Sequence, residues 1–150
     1  MSDLTKLLSN EYLWCSFFTW CVAQSFKFVK NWFKNRQWDV RSLLGSSGMP
    51  SSHTASVMAL TTMVGLKDGF DSALFAACMV FSVVVMYDAM GVRRETGKQG
   101  YVINVLQNFI ATGDPSIRTT DMKEKIGHSP FEVVMGAVTG ILCAVLFQAI

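Results

Sequence analysis

The sequence contains few charged residues. Asp, Glu, Lys and Arg together make up 16% of its 150 residues, whereas hydrophobic residues make up 51% and the mean hydropathy is +0.33. A soluble domain carries roughly 25% charged residues. This shortage argues against a soluble globular protein and predicts a chain that is embedded in a membrane. The length fits a single domain, which we place at 1–150.

Paired cysteine motifs and internal repeats are also lacking. Each of the four cysteines lies inside an apolar run, none forms a CxxC pair, and none neighbours a histidine. They are Cys15, Cys21, Cys78 and Cys143. We interpret them as small buried hydrophobic residues, and we expect neither a metal site nor a cofactor. The first apolar run lacks a small-residue cleavage site after it, so we predict a retained helix rather than a signal peptide.

Apolar runs and turn signals predict an all-α, integral-membrane helical bundle. Three runs, at 12–29, 72–90 and 131–150, approach the roughly 20 residues that cross a hydrocarbon core. A fourth run, at 54–66, is shorter, and we expect it to span together with the turn before it. The prediction is therefore about four spanning helices plus short interfacial helices. Helical spacing and capping residues predict the interfacial ones at 99–111 and 121–127.

Positive charges are distributed unevenly between the predicted loops. Eleven of the 13 Lys and Arg residues fall on one predicted side of the membrane, and two fall on the other. The eleven are Lys27, Lys30, Lys34, Arg36, Arg41, Arg93, Arg94, Lys98, Arg118, Lys123 and Lys125, and the two are Lys6 and Lys67. Cytoplasmic loops carry an excess of Lys and Arg. We therefore predict that the two long loops are cytoplasmic and that both termini lie outside.

A candidate anion site precedes the short run. The stretch GSSGMPSSHTASVMAL at 45–60 places small residues, a proline and a histidine before the apolar residues. Pro50 at an early helical position and a serine cap predict a helix start here. A helix start offers backbone N–H donors and partial positive charge, and His53 would transfer a proton there. The alternative is an ordinary capped helix whose histidine lies at the interface.

The other histidine, His128, has a similar setting. It precedes the last helix on the same predicted side, and Glu132 follows four residues later. This spacing would bring the carboxylate beside the imidazole, where it fixes the tautomer and raises nucleophilicity. In the alternative, Glu132 closes a capping box with Ser129, and His128 is a solvent-exposed neighbour of the cap. The two uses compete for the same carboxylate.

Four cations and one further acid lie near these histidine segments. Lys34 and Arg41 precede the first segment, and Arg93 and Arg94 follow the third apolar run. Arginine matches phosphate with a bidentate fork and lysine adds a point charge, although each is also explained as a positive-inside anchor. Asp88 lies near the end of a predicted spanning helix, where an acid is costly and by default functional or paired. A salt bridge to a nearby arginine is the simpler interpretation.

These residues resemble the three motifs of the type 2 phosphatidic acid phosphatase superfamily, which is related to the vanadium haloperoxidases. The resemblance rests on the K-x6-R pair of Lys34 and Arg41, on PSSH at 50–53, and on an arginine with a later His-x3-acid. The strings GMPSSHTASVMAL, VMYDAMGVRRETGKQ and GHSPFEVVMGAVTG are similar to its small divergent bacterial and plastid branch, over nearly the whole chain. We therefore expect an integral protein of the bacterial cytoplasmic membrane, and the distribution of Lys and Arg predicts that the site faces the cytoplasm.

The resemblance also implies roles for individual residues. His53 matches the general acid, and the nucleophile is a histidine that an acid orients. The phosphate-binding residues are expected to be Lys34, Arg41, Ser51, Ser52, Arg93 and Arg94. The chain departs from the pattern at the third motif, where Gln99 occupies the position of the histidine. Only His128 remains for that role, with Glu132 as its acid and Asp88 as a further catalytic candidate.

Two classes of function follow from this resemblance. The first is a metal-independent phosphatase that hydrolyses a lipid phosphate or pyrophosphate through a phosphohistidine. The second is a non-catalytic phospholipid-binding or transport protein that retains the anion pocket, which the glutamine in the third motif favours. A vanadate-dependent oxidase is a weaker option, because nothing in the sequence suggests an oxidant site. We expect a lipid phosphate and the bilayer as partners and no nucleic acid, and a homodimer would suit four short helices.

Overall fold

The computed structural model describes residues 3–35, 48–113 and 127–150. Within these ranges the regular secondary structure is helical and no strand occurs, which confirms the predicted all-α fold. The helices are α1 (Asp3–Leu8), α2 (Glu11–Asn35), α3 (Ser52–Asp68), α4 (Ala73–Met90), α5 (Val92–Thr112) and α6 (Pro130–Ala149). The helix predicted at 99–111 is the second half of α5. The one predicted at 121–127 falls almost entirely outside the described residues.

Serine caps fix the starts of α4 and α6. The Ser72 hydroxyl accepts a hydrogen bond from the backbone N–H of Phe75 at 3.1 Å. Ser129 and Glu132 form a reciprocal capping box, with Pro130 at the start of the helix. Each cap satisfies N–H groups that have no partner within the helix. Both starts agree with the capping signals in the sequence.

The start of α3 differs slightly from the prediction. Ser51 has extended backbone angles (φ −66°, ψ 111°), and its hydroxyl accepts from the N–H of Thr54. Ser51 is therefore the N-cap, and the helix begins at Ser52. The prediction that Pro50 occupies an early helical position is wrong, because the cap follows the proline and leaves it outside the helix.

The central helix of the bundle is α3, which contacts α2, α4 and α6. Its contact with α6 is close because two glycines present no side chain there. A Cβ added to Gly136 would lie 2.7 Å from the carbonyl O of Ser51, and one added to Gly140 would collide with the carbonyl O of Ala55. Small residues four apart let helix backbones approach in a membrane. Moving four residues along α6, from Gly136 to Gly140, moves the contact four residues in the same direction along α3, from Ser51 to Ala55. The two helices therefore run parallel.

Small and polar side chains face the interior of the bundle, and large apolar side chains face outwards. The hydroxyls of Thr61 on α3 and Ser82 on α4 lie 2.8 Å apart, and both residues are buried. Between Pro130 and Phe147, the exposed large side chains of α6 are all apolar: Phe131, Val134, Val138, Ile141, Leu142, Val145 and Leu146. Water would make such a surface unfavourable, whereas lipid accommodates it. This arrangement indicates a bundle embedded in a membrane.

Two segments are long and apolar enough to cross a membrane. They are Ala73–Ala111, which comprises α4 and most of α5, and Pro130–Ala149, which is α6. No other helix among the described residues meets both criteria, so the expected count of about four spans is not confirmed. α3 has 17 residues, fewer than the roughly 20 that a span requires. α2 has 25 residues but carries charged residues at both ends.

Candidate active site

The starts of α3 and α6 lie side by side at one end of the bundle. The backbone N–H of Ser51 donates to the carbonyl O of Glu132 at 3.2 Å. This hydrogen bond between two helices forms because Gly136, one turn further along α6, lets α3 approach. The partial positive charges of two helix starts therefore meet here. We call this region the histidine end; it comprises Lys27, Ser51, Ser52, His128 and Glu132.

His128 is buried between α4 and α6. It is 3% exposed, and its backbone N–H donates to the carbonyl O of Ala89 in the last turn of α4 at 3.1 Å. Ala89 precedes Arg93 by four positions in the sequence. The fold thus brings this histidine next to the segment in which the superfamily pattern has its third motif. The alternative in which His128 is a solvent-exposed neighbour of the cap is wrong, because the residue is only 3% exposed.

One carboxylate oxygen of Glu132 closes the capping box and also lies near the imidazole of His128. Its Oε2 accepts from the backbone N–H of Ser129 at 2.9 Å and so closes the capping box. The same atom lies 3.5 Å from Nδ1 of His128. The capping box does not exclude the second use, since a carboxylate oxygen has more than one acceptor position, and orientation of the imidazole by Glu132 stays a prediction. Nδ1 is the ring nitrogen that faces the carboxylate, and a nucleophilic role for the other ring nitrogen stays a prediction.

A lysine of α2 is buried against the start of α3. Lys27 is 5% exposed, and its Nζ donates to the hydroxyl of Ser52 at 3.1 Å. Ser52 is itself buried. The carboxylate of Glu132 attracts the Lys27 ammonium electrostatically. Polar groups therefore link α2, α3 and α6 at the histidine end.

His53 and Asp88 lie on the helix turns that form this end. The side chain of His53 is exposed and directly follows the buried Ser52 in α3. Asp88 is partly buried in the last turn of α4, directly before Ala89, whose carbonyl O binds the backbone of His128. The two helix turns that carry the predicted proton-transfer residue and the predicted further acid therefore belong to the same region.

The backbone alone locates three of the four predicted phosphate-binding cations. Lys34 lies in the last turn of α2, and Arg93 and Arg94 lie in the first turn of α5. The side chains of these three residues, and Arg41 as a whole, lie outside the described residues. Their role in holding phosphate stays a prediction from the resemblance.

Two features of this site were not predicted from the sequence. Lys27 is expected there among the loop cations, whereas the structure buries it on one face of α2 with Cys15, Thr19 and Ala23. The second feature is the close contact of α3 and α6, for which the G-x3-G spacing at 136–140 and the A-x3-A spacing at 55–59 are typical signals. In both cases the sequence signal is a row of small residues four positions apart.

Comparison with known proteins is consistent with this architecture. Residues 8–143 match the divergent PAP2 family. The uncharacterized membrane protein YuiD of Bacillus subtilis (strain 168) is 39% identical over 147 residues, which cover 91% of this chain and 93% of that protein. No solved structure matches the chain. The match spans the apolar helices and both histidine segments, and the chain belongs to the divergent PAP2 family of membrane proteins.

Proposed function

We propose that this chain is a membrane-embedded phosphatase that hydrolyses a lipid phosphate or pyrophosphate. The position of His128 carries the proposal: its ring faces Glu132, and its backbone is bound to the end of α4. An imidazole with an orienting acid is the arrangement that activates a histidine nucleophile. Family membership and the lipid-facing exterior of the bundle support a substrate in the membrane.

The proposed reaction has two steps. In the first, Nε2 of His128 attacks phosphorus in line, the bond to the lipid oxygen breaks, and His53 donates a proton to the departing oxygen. The cations that would neutralise the phosphate oxygens are Lys34, Arg41, Arg93 and Arg94. In the second step, water attacks the phosphohistidine, His53 takes a proton from that water, and inorganic phosphate leaves.

The test is phosphate release by the detergent-purified chain from a panel of lipid phosphates. Phosphatidic acid, phosphatidylglycerol phosphate and polyprenyl phosphates share the headgroup, and phosphatidylcholine serves as the blank. We expect turnover by the wild type, inhibition by vanadate as an analogue of the transition state, and no turnover by His128→Ala. Glu11→Gln, at the opposite end of α2, is the folding and activity control. Full activity of folded His128→Ala would refute the phosphohistidine.

A second candidate function is binding or transport of a phospholipid without hydrolysis. The burial pattern favours it, because His128 is 3% exposed whereas the side chain of His53 is exposed. Gln99 at the third-motif position also favours it. A wild type that binds vanadate or phosphatidic acid and releases no phosphate from any lipid of the panel would establish this function instead.

We further propose that the histidine end faces the cytoplasm of a bacterial cytoplasmic membrane. The uneven distribution of Lys and Arg supports this orientation. The test is labelling of single cysteines in intact cells with a membrane-impermeant maleimide. We expect Lys67→Cys to react from outside and Lys30→Cys to react only after lysis, and the opposite pattern would reverse the orientation. Cross-linking in the same membranes tests the expected homodimer.

A further inference from the structure

Lys27 is a charged side chain in an environment that disfavours charge. It is 5% exposed, and it lies between Phe26 and Phe28 in α2. A buried ammonium costs much free energy unless it is paired and fully hydrogen-bonded. An ionisable residue among apolar membrane helices is therefore a candidate functional group.

The contacts of Lys27 use only part of its capacity. An ammonium group has three donors. Within the part of the chain that the structure describes, Lys27 makes one hydrogen bond, to the neutral hydroxyl of Ser52, and no direct ion pair. Glu132 attracts it from further away, but that carboxylate already contacts Ser129 and His128. The protein groups described here therefore do not account for the burial of this charge.

Gln24 is a second buried polar group on the same side of α2. It is 6% exposed, and its Oε1 accepts no hydrogen bond from any described residue. Residues three apart are neighbours on a helix surface, so Gln24 lies one turn from Lys27. The buried side of α2 thus contains two adjacent polar side chains, Gln24 and Lys27. Both make fewer hydrogen bonds to the described residues than they are able to make.

The local electrostatics favour an anion. The starts of α3 and α6 each carry partial positive charge, and they meet beside Lys27. A cation near a helix start is repelled by it, whereas an anion is attracted to both. A phosphate oxygen next to Ser52 would relieve this repulsion and would use the remaining donors of Lys27.

We propose that Lys27 is an anion-binding residue whose ammonium donates to an oxygen of a phosphate group bound at the start of α3. The proposal deepens the proposed function and rests on it for the choice of phosphate as the ligand. The resemblance gives Lys27 no role, since the first-motif lysine corresponds to Lys34. The ligand class is a phosphate monoester or free phosphate, which present the same oxygens to the ammonium.

The test compares two lysines of one helix in the full-length chain. Lys30 lies one turn beyond Lys27 and is exposed, so Lys30→Met removes the same charge without removing a buried ammonium. Calorimetry would measure orthovanadate and inorganic phosphate binding to the protein in detergent, and a flotation assay would measure binding to vesicles with phosphatidic acid. We expect Lys27→Met to weaken binding by about tenfold or more and Lys30→Met to change it by less than about twofold.

The different probes identify the source of the phosphate group. A loss confined to phosphatidic acid vesicles, measured against phosphatidylcholine vesicles, places a lipid headgroup at Lys27. A loss that includes inorganic phosphate and vanadate shows that the free anion suffices. Equal affinities of folded Lys27→Met and Lys30→Met for every probe would overturn the proposal, because Lys27 would then be only a buried counterion of Glu132.

A second measurement needs no destabilising substitution. In wild-type chain labelled with ¹⁵N at lysine Nζ, the Lys27 resonance is assigned by its loss in Lys27→Arg. We expect this resonance to shift when vanadate is added and the Lys30 resonance to stay in place. A Lys27 resonance that does not move at saturating vanadate would contradict the proposal.

These outcomes separate the proposal from the proposed phosphatase. A wild type that binds vanadate through Lys27 without hydrolysing any lipid supports the anion-binding role of Lys27 and refutes the phosphatase. If the wild type hydrolyses lipid phosphate and Lys27→Met has the same KM and the same vanadate inhibition, the phosphatase is supported and the anion-binding role of Lys27 is refuted. A wild type that binds none of the probes refutes both.

Discussion

The two ends of the helical bundle use similar residues in opposite ways. At the far end, which comprises Glu11, Tyr12, Lys67 and Asp68, the hydroxyl of Tyr12 donates to Asp68 at 2.7 Å, and Lys67 pairs with Glu11. These contacts join the start of α2 to the end of α3, and they lie at the surface. At the histidine end a lysine and a histidine are buried instead. At the far end Lys67 and Glu11 pair with each other and Asp68 accepts from Tyr12, whereas the described partner of Lys27 is the neutral hydroxyl of Ser52.

This difference separates exposed, directly paired groups from buried groups that we propose to act on phosphate. An exposed ion pair contributes only about 0.2–1 kcal/mol, because water and salt screen it. Burying a charge costs far more, so an incompletely paired buried cation requires another explanation. The comparison is therefore consistent with a role of the far end in helix alignment and with the phosphate chemistry that we propose for the histidine end. Four predictions test this contrast, from the largest expected effect to the smallest.

Replacing the proposed proton donor should give the largest change. We expect His53→Ala to lower the hydrolysis rate of phosphatidic acid by a factor on the order of 10²–10⁴. The loss should be much smaller for an aryl phosphate, because its leaving group departs without a proton. Steady-state phosphate release on both substrates measures this difference. An equal loss on the two substrates would show that His53 does not act as a general acid.

The two ends contain a matched pair of acids, each in the first turn of a helix. We expect Glu132→Gln to lower kcat by about 10–100-fold, because the amide no longer orients His128 as a carboxylate does. Glutamine keeps an acceptor for the N–H of Ser129, so thermal unfolding should change little. Glu11→Gln should leave kcat unchanged. If both variants lose the same activity, the functional contrast between the ends is wrong.

The glycine contact between α3 and α6 brings the two helix starts together. Gly140→Ala should destabilise the bundle by about 1–3 kcal/mol, because the new Cβ meets backbone and side-chain atoms of α3. At Gly100 a Cβ meets nothing within 4 Å, so Gly100→Ala should be neutral or stabilise by up to about 1 kcal/mol. Denaturant unfolding in detergent measures both. Similar stabilities would mean that close approach is not required.

The smallest effect is expected at the far end. Tyr12→Phe removes one surface hydrogen bond to Asp68, and we expect a loss of less than about 1 kcal/mol. Vanadate binding should stay unchanged. A strong loss of vanadate affinity in this variant would show that the far end contributes to the site, and it would remove the contrast on which the account rests.

Most of the helix boundaries were predictable because they depend on local chemistry. The boundaries at Gly69, Ser72 and Ser129 depend on backbone conformation and hydrogen bonds within a few residues. A local sequence pattern is therefore enough to predict them. The start of α5 at Val92 was not predicted, since the sequence pattern indicated a helix only from residue 99. Gly97 and Gly100 are weak helix breakers, and the helix continues through both.

The site was predictable only in part, because its geometry depends on contacts between helices. Spacing alone placed Glu132 beside His128, since the two are neighbours on one turn. No local pattern connects Lys27 with Ser52 or His128 with Ala89, which are 25 and 39 positions apart (52 − 27 and 128 − 89). These contacts depend on how α2 packs against α3 and on how the start of α6 packs against the end of α4, which no single segment of the sequence specifies.

The most direct test of the account is to trap the proposed covalent intermediate. The purified chain would be mixed with phosphatidic acid that carries ³²P in its phosphate, quenched in alkali, and digested for peptide mapping. The account predicts alkali-stable, acid-labile label on the peptide that contains His128, with no label in His128→Ala. Turnover of the lipid without label on that peptide, or label that persists in His128→Ala, would contradict the central claim.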